Sequence, residues 1–258
     1  MFLNIDSTNN FDPVVSAWLQ QLSTPPSGIW LRHFNRMIKG HRKDGNLLLL
    51  DRLWIFATEV QAHAKVSVVN PSSTQITEVN TPAWVALQGY TGNGSSSYLN
   101  SNFAPSAGVR FLLNTASFGV YSRTSNAALS KNCMAVNDAT NGAVIYERAA
   151  GDVMYVQVNS ANVADPVTNT LTTGLLSNTR MDSATVEGWR NGASLGTVAR
   201  VSSARVAINF FIGARNNNGS AVNFSTLQLS MAYIGGGIDQ KKFYNRMQTF
   251  MTALGTQV

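Results

Sequence analysis

Charged residues are scarce in this chain: Asp, Glu, Lys and Arg make up 12% of its 258 residues, against ~25% in an ordinary soluble domain. Acids are the scarcer half, 13 against 19 bases, which leaves a net charge of +6. A surface so poor in charge has to be built from Asn, Ser, Thr and Gly, short polar residues that suit extended β-structure and subunit packing. Cysteine occurs once, at Cys133, which excludes an intrachain disulfide and removes any need for oxidising export during folding. The residue reads as a small buried hydrophobe. With only His33, His41 and His63 beside it, no zinc pattern can be written. No run approaches the ~18 apolar residues of a membrane span, and Met1-Phe2-Leu3-Asn4-Ile5-Asp6 lacks the basic region and apolar core of a signal peptide. No cofactor, resident metal or membrane partner is expected, and folding in a cytoplasm is.

The excess of base is concentrated at one place, Arg32, His33, Arg36, Lys39, His41, Arg42 and Lys43. Such a run is either a solvated helix end or a dock for an anionic partner. Elsewhere the cations are scattered and lack the interleaved aromatics on which single-strand binders stack bases, so nucleic acid is not an expected partner.

Residues 1–65 carry helical periodicity. Asp12-Pro13 supplies a cap and a proline for the first helical position, and Val14, Val15, Trp18, Leu19 and Leu22 form one apolar face before Pro25-Pro26 stops the helix. A second helix is predicted over 29–39. A third is predicted over 47–64, where Leu50, Leu53, Trp54 and Ala57 form a stripe. From residue 66 to 258 the period becomes two. Strands are predicted at 66–69, 75–79, 83–88, 97–100, 108–113, 117–122, 134–136, 143–148, 153–158, 171–178, 185–190 and 193–201, with Asn191-Gly192 as a hairpin turn. Short strands at this spacing without intervening helices describe a sandwich. The chain closes with a strand over 208–215, a turn at 216–220 and a strand in which Leu227, Leu229, Met231 and Tyr233 form a buried face opposite an exposed Gln228, Ser230 and Ala232. A last helix, capped by Asp239, carries Phe243, Met247, Phe250 and Leu254 at spacings of four, three and four and ends at Gly255.

Catalytic patterns are missing. A retaining glycosidase needs two carboxylates ~5 Å apart, hence acids at i and i+2 or i+4 on one strand, and no predicted strand has them. Glu147 and Asp152, like Asp182 and Glu187, are five apart. Gly192-Ala193-Ser194-Leu195-Gly196 matches a nucleophile elbow in letters only, because that motif needs a strand before the serine and a helix after it. Residues 137–147 have the outline of a calcium loop with Gly142 at the sixth position, but Arg148 stands where the twelfth-position glutamate belongs. Calcium held by loop carbonyls would leave no such signature. Gly92-Asn93-Gly94 reads as a tight turn. What is left is binding chemistry, an aromatic ring or amide beside a cation: Trp189 with Arg190, Tyr121 with Arg123, and Arg215 with Asn216 and Asn217. Each is suited to a glycan or a neighbouring subunit, and each can equally be a core side chain beside a surface one.

Two blocks then carry a resemblance. Ile212-Gly213-Ala214-Arg215 with the polar loop behind it, Tyr233-Ile234-Gly235-Gly236-Gly237 and the terminal helix form one; Leu49-Leu50-Asp51-Arg52-Leu53-Trp54 with Gly89-Tyr90-Thr91-Gly92-Asn93-Gly94-Ser95-Ser96-Ser97-Tyr98-Leu99 form the other. Together they resemble concanavalin A-like (laminin-G-like) jelly-roll domains, in the form carried by structural proteins of tailed bacteriophages. The resemblance implies a mainly β, jelly-roll sandwich over 66–258 preceded by a helical attachment segment over 1–65. It implies a non-enzymatic virion component of tail, collar or capsid, with other virion proteins as partners and a homo-oligomer as its state. Arg32, Arg36, Lys39, Arg42 and Lys43 would serve particle attachment. A carbohydrate-binding adhesin for host-surface glycan is the alternative, and a polysaccharide-degrading enzyme the third reading.

Overall fold

The computed structural model describes residues 10–125, 131–162 and 165–255. The opening residues 1–9, where no leader was expected, lie outside them. The helices are α1 (Pro13–Leu19), α2 (Gly28–Lys43), α3 (Gln61–Ala64) and α4 (Gln240–Ala253). The strands are β1 (Leu50–Ile55), β2 (Thr77–Val79), β3 (Ala83–Val85), β4 (Gly89–Thr91), β5 (Tyr98–Asn100), β6 (Ala116–Ser122), β7 (Asn132–Asn137), β8 (Asn141–Tyr146) and β9 (Val153–Ala161). There follow β10 (Asp165–Thr168), β11 (Gly174–Arg180), β12 (Thr185–Arg190), β13 (Ala193–Ala199), β14 (Phe211–Ile212), β15 (Arg215–Asn217), β16 (Ser220–Val222) and β17 (Gln228–Gly235). One sheet runs β13-β12-β11-β6-β17-β4-β3 with β1 also on β17; the other runs β10-β9-β8-β7-β14-β5-β2 with the β15–β16 hairpin on β7.

Period-two alternation builds the space between the sheets. Phe118, Val120, Leu176 and Ile234 of the first sheet meet Met134, Val136, Ile145, Val156 and Val158 of the second in one buried cluster. This is the expected mainly β, jelly-roll-like sandwich. The Asn191-Gly192 turn forms with positive φ at both residues (52° and 72°), joining β12 to β13 as predicted.

A second buried cluster lies on the outer face of the first sheet. Tyr121, Leu175, Met231 and Tyr233 point outward there and are covered by Trp18 of α1, Trp30, Phe34 and Met37 of α2, and Phe243, Met247 and Phe250 of α4. The helix ends are set by local hydrogen bonds as predicted. Asp12 accepts from the Val14 amide at 2.9 Å, Asp239 accepts from the Lys242 amide at 3.0 Å, and Gly255 takes φ 68° beyond α4.

Several sequence expectations are corrected. The predicted helix over 47–64 is a short 3₁₀ turn at Asn46–Leu49, the strand β1 and the single-turn α3. β1 is buried on both sides, Leu53 and Ile55 in the helix-covered cluster and Trp54 in the sandwich core. A strand with no polar face lacks the alternation that identifies one. Residues 108–113 form no strand, because the Val109, Arg110 and Phe111 amides donate to the buried Asp51 carboxylate at 3.0, 3.1 and 2.7 Å instead of to a ladder. Residues 66–69 also form none. The strand expected over 208–215 breaks at Gly213, which adopts φ 79°. β14 before it pairs antiparallel with β7, whereas β15 after it runs parallel to β7. The expected turn over 216–220 is confined to Asn218-Gly219 (φ 50° and 96°), with β15 and β16 on either side.

The exposed face predicted for Gln228, Ser230 and Ala232 is absent. Register shifts between Leu229 and Met231 against β6, so Leu229 and Ala232 enter the sandwich core while Met231 and Tyr233 enter the helix-covered one. An irregularity that adds one residue to a strand exchanges its two faces. At this point the Phe56 and Ala57 amides both donate to the Ser230 carbonyl, at 2.7 and 3.1 Å.

Candidate functional site

Among the described residues no helix lies on the outer face of the second sheet. In β8 and β9 the residues Ala143, Ile145, Met154, Val156 and Val158 turn inward, so alternation sends Val144, Tyr146, Tyr155 and Gln157 to the open side. Together with Asn137 at the end of β7, Asn162 and Arg215 they line a cleft of about 160 Å³. Tyr146 and Tyr155 stand 5.4 Å apart, ring centre to ring centre, at 77°, a face set against an edge.

Polar groups converge on these rings. Arg215 Nη1 donates to the Tyr146 hydroxyl at 3.1 Å, while its buried Nε has no partner. Asn137 Nδ2 donates to Asn217 Oδ1 at 3.0 Å and to the Asp138 carbonyl at 3.2 Å; its Oδ1 is buried without a donor. Gln157 Nε2 donates to the Ser160 and Ala161 carbonyls at 2.9 and 2.8 Å. Gly142 makes this convergence fit, since a Cβ there would lie 2.9 Å from Asn137 Cβ and from Asn162 Oδ1, and 3.0 Å from Gln157 Nε2. Gly213 makes it reachable: its left-handed φ sends β15 back along β7 and so carries Arg215 to the cleft.

The lining holds two aromatic rings, a cation and three amides but no carboxylate, imidazole or hydroxyl nucleophile of Ser or Thr. Its chemistry is stacking and hydrogen bonding. Among the described residues no group of three or more His, Cys, Asp or Glu side chains could hold a metal ion. Ser194 lies in β13, after a hairpin turn and inside a strand, with its hydroxyl donating to Glu187. Among the described residues no helix is long and apolar enough to cross a membrane.

Of the three pairings picked out in the sequence, one reaches this cleft. Arg215 lines it, and Asn217 holds the amide of Asn137. Asn216 is buried beneath the hairpin, where Nδ2 donates to the Asn209 carbonyl at 2.8 Å and Oδ1 accepts from the Gly219 amide at 2.8 Å. Tyr121 is corrected: it is fully buried under α4, with its hydroxyl donating to Gln248 Oε1 at 2.7 Å, so neither ring face can meet a sugar. Arg123 Nε donates to Gln228 Oε1 at 3.1 Å, on the first sheet. Trp189 and Arg190 are half-buried neighbours in β12 that point to opposite faces, Trp189 across from Ser177 and Arg190 across from Leu176. Tyr146, Tyr155, Asn137, Gln157 and Asn162 were not singled out. The signal for Tyr146, Tyr155 and Gln157 is the outward phase of the strands over 143–148 and 153–158; Asn137 and Asn162, at strand ends, carry none.

The basic run on α2 divides. Arg42 pairs with the buried Asp12 at 2.5 Å, and its guanidinium helps hold that carboxyl below the usual carboxylate range against the opposing effect of burial. Lys39 donates to the Asn10 carbonyl. His41 is fully buried, 4.5 Å from the Phe243 ring, and burial pushes its pKa down to about 3. Arg32, Arg36 and Lys43 are exposed. His33 and Arg36 flank a groove of about 110 Å³ between α2 and α4, floored by Met37 and Phe250.

No family model matches the chain, and no curated protein matches it. Solved structures do match, at low identity. Domain 4 of AbnA, a GH43 extracellular arabinanase from Geobacillus stearothermophilus in complex with arabinotriose, aligns with TM-score 0.51 and 12% identity over 78% of this chain and 98% of that one. The sialidase of Trypanosoma rangeli aligns with TM-score 0.55 and 12% identity over 85% of this chain, which spans 39% of its length. The W1238A mutant of HCR/D aligns with TM-score 0.57 and 7% identity, over 78% of this chain and 53% of that one. At such identities the likeness shows the fold alone, a two-sheet β-sandwich.

Proposed function

We propose that the protein is a non-enzymatic recognition module of lectin-like fold whose ligand is a saccharide, bound in the cleft on the outer face of the second sheet. The observation that carries this is the Tyr146–Tyr155 pair with Arg215, Asn137 and Gln157 converging on it. A pyranose offers an apolar ring face and a rim of hydroxyls, which match an aromatic ring surrounded by amide and guanidinium groups. The arabinanase domain, described in complex with arabinotriose, lends support because the fold is shared. A glycan array probed with the wild-type protein and Tyr155→Ala tests the proposal. Specific binding that the variant loses is expected, and an array with no specific signal would overturn it. Release of reducing ends from polysaccharide would overturn the non-enzymatic part.

The second reading concerns where the module works, and both can hold at once. The resemblance to tailed-phage structural proteins and the charge-poor composition support a place on a virion, reached after folding in the host cytoplasm, in contact with other virion proteins and further copies of itself. Attachment through α2 would use the exposed Arg32, Arg36 and Lys43, with Lys39 and Arg42 held by contacts inside the chain. Deleting residues 1–45 would strip α1 and α2 from the first sheet and so test folding, not attachment. Charge reversal at Arg32, Arg36 and Lys43 is the cleaner probe. Mass spectrometry of purified particles should show loss of the reversed protein, and unchanged copy number would sink the attachment role.

A further inference from the structure

The cleft is electrostatically one-sided. Among the described residues the ion pairs are made by Arg42, Lys65, Arg148, Arg200, Lys242 and Arg246; Arg215 makes none. No described Asp or Glu lines the cleft. Asp138, which follows Asn137 in the chain, is engaged elsewhere. Its Oδ1 accepts from the Thr140 and Asn141 amides at 2.8 and 2.7 Å, closing the β7–β8 turn. Arg215 therefore brings an uncompensated positive charge to the rim of an aromatic cleft, with one nitrogen fixed by the Tyr146 hydroxyl and Nε unpaired. A guanidinium held in place is pre-organised for a planar oxyanion, and hydrogen bonds to an ionised acceptor are stronger than neutral ones.

The remaining groups say what the oxyanion is attached to. Asn137 is more than nine-tenths buried and lines the cleft, and its Oδ1 is a buried acceptor that no donor meets. An acceptor beside a cation does not suit a fully ionised inorganic anion such as sulfate, which has only acceptors of its own to offer. It suits a ligand that carries hydroxyl donors as well as a negative group. The Tyr146–Tyr155 rings add a surface for an apolar ring face. At about 160 Å³ the cleft is below the ~300–1,000 Å³ of pockets that enclose drug-sized ligands. It takes a single ring, at a chain end or on a side branch.

We infer that the cleft selects acidic sugars, rings bearing a carboxylate such as uronic or ulosonic acids, with Arg215 as the residue that sets this selectivity. The inference rests on the cleft being the saccharide site. Arg215 receives the carboxylate, Asn137 Oδ1 accepts from a ring hydroxyl, and the tyrosine pair takes the apolar face of the same ring. Neutral sugars keep the stacking and lose the charge-assisted bonds.

Matched ligand pairs test this on the full chain. D-glucuronate, D-galacturonate and N-acetylneuraminate, each with its uncharged methyl ester, are titrated by NMR, with inorganic phosphate as a further arm. The acid is expected to bind about tenfold tighter than its ester in at least one pair, the size of one charged hydrogen bond. Arg215→Gln should erase that difference by lowering the acid's affinity more than the ester's, whereas Tyr155→Ala should weaken acid and ester by the same factor. Equal affinity for acid and ester in every pair, or equal loss of both in Arg215→Gln, overturns the acidic selectivity and leaves the saccharide site standing. Phosphate binding as tightly as the best acid shows a general anion site and overturns it too. If no sugar of either kind perturbs Tyr146, Tyr155 or Asn137, the saccharide site itself fails and the selectivity with it.

Discussion

The two outer faces of this sandwich are built by the same alternation and end in opposite states. On the first sheet Tyr121, Leu175, Met231 and Tyr233 look outward and are buried beneath three helices. On the second, Val144, Tyr146, Tyr155 and Gln157 look outward with no described helix over them, and a cleft forms. Aromatic residues occupy both faces, so the presence of an aromatic does not mark a site. What separates them is the partner of the hydroxyl and of the ring. Tyr233 gives its hydroxyl to Gln240 of α4 and packs 4.6 Å from Phe243, whereas Tyr146 accepts from an arginine that has no carboxylate. Tyr233 on the covered face is thus satisfied from within the chain, whereas beside Tyr146 on the open face Arg215 Nε and Asn137 Oδ1 have no partner.

The comparison breaks most visibly in stability. Phe34→Ala removes a fully buried ring under the helix layer and should cost about 3–5 kcal/mol, while Tyr155→Ala, half-buried on the open face, should cost under about 1 kcal/mol. Chemical denaturation of both variants measures the contrast, and equal losses would show that the second face is also structural.

The next effect is one of pH. His41 lies between α2 and α4 with neither ring nitrogen hydrogen-bonded, and its pKa is lowered to about 3 from an ordinary 6.5. The folded protein refuses a proton that the unfolded chain accepts, so this site's stability is present in full above pH 6.5 and is lost as pH falls from there toward 3. The slope approaches about 1.4 kcal/mol per pH unit. Asp12 and Asp44, each paired with an arginine and lowered, add losses of the same sign at lower pH. His41→Leu should flatten the stability profile between pH 6.5 and 4, and an unchanged profile would remove His41 as the cause.

Smaller again is Asp51→Ala, which takes the acceptor from three backbone amides where β1 meets the 108–111 loop. A loss of about 1–3 kcal/mol is expected by thermal denaturation. Least of all in stability is Gly142→Ala, where a methyl group would press on Asn137, Asn162 and Gln157. Saccharide affinity should fall, with a loss of stability of about 1 kcal/mol. A variant that binds as well as wild type would show that the three amides do not have to meet.

Much of the architecture could be read from the sequence because its strands follow the rule of one apolar face, and because Asp12, Asp239, Asn191-Gly192 and Gly255 act through their nearest neighbours. The misread segments are those where a distant residue decides. β1 looked helical because α1, α2 and α4 bury the face that would otherwise be polar. Residues 108–113 looked like a strand because nothing in them announces that Asp51 takes their amides. The site was half legible. Arg215 and Asn217 stood out beside a loop, but Tyr146 and Tyr155 sit mid-strand, and only the phase of the sheet tells an outward tyrosine from the buried Tyr121.

The irregularity at Ser230 bears on how this chain can vary over evolution. Upstream of it β17 supplies Leu229 to the space between the sheets; downstream it supplies Met231 and Tyr233 to the helices. Position 230 is therefore a comma in the strand, and the count of residues around it carries as much meaning as their identity. Exchanging one letter there alters a single contact. Dropping one letter would exchange the destinations of every side chain after it, sending Tyr233 toward the sandwich and Ile234 toward α4.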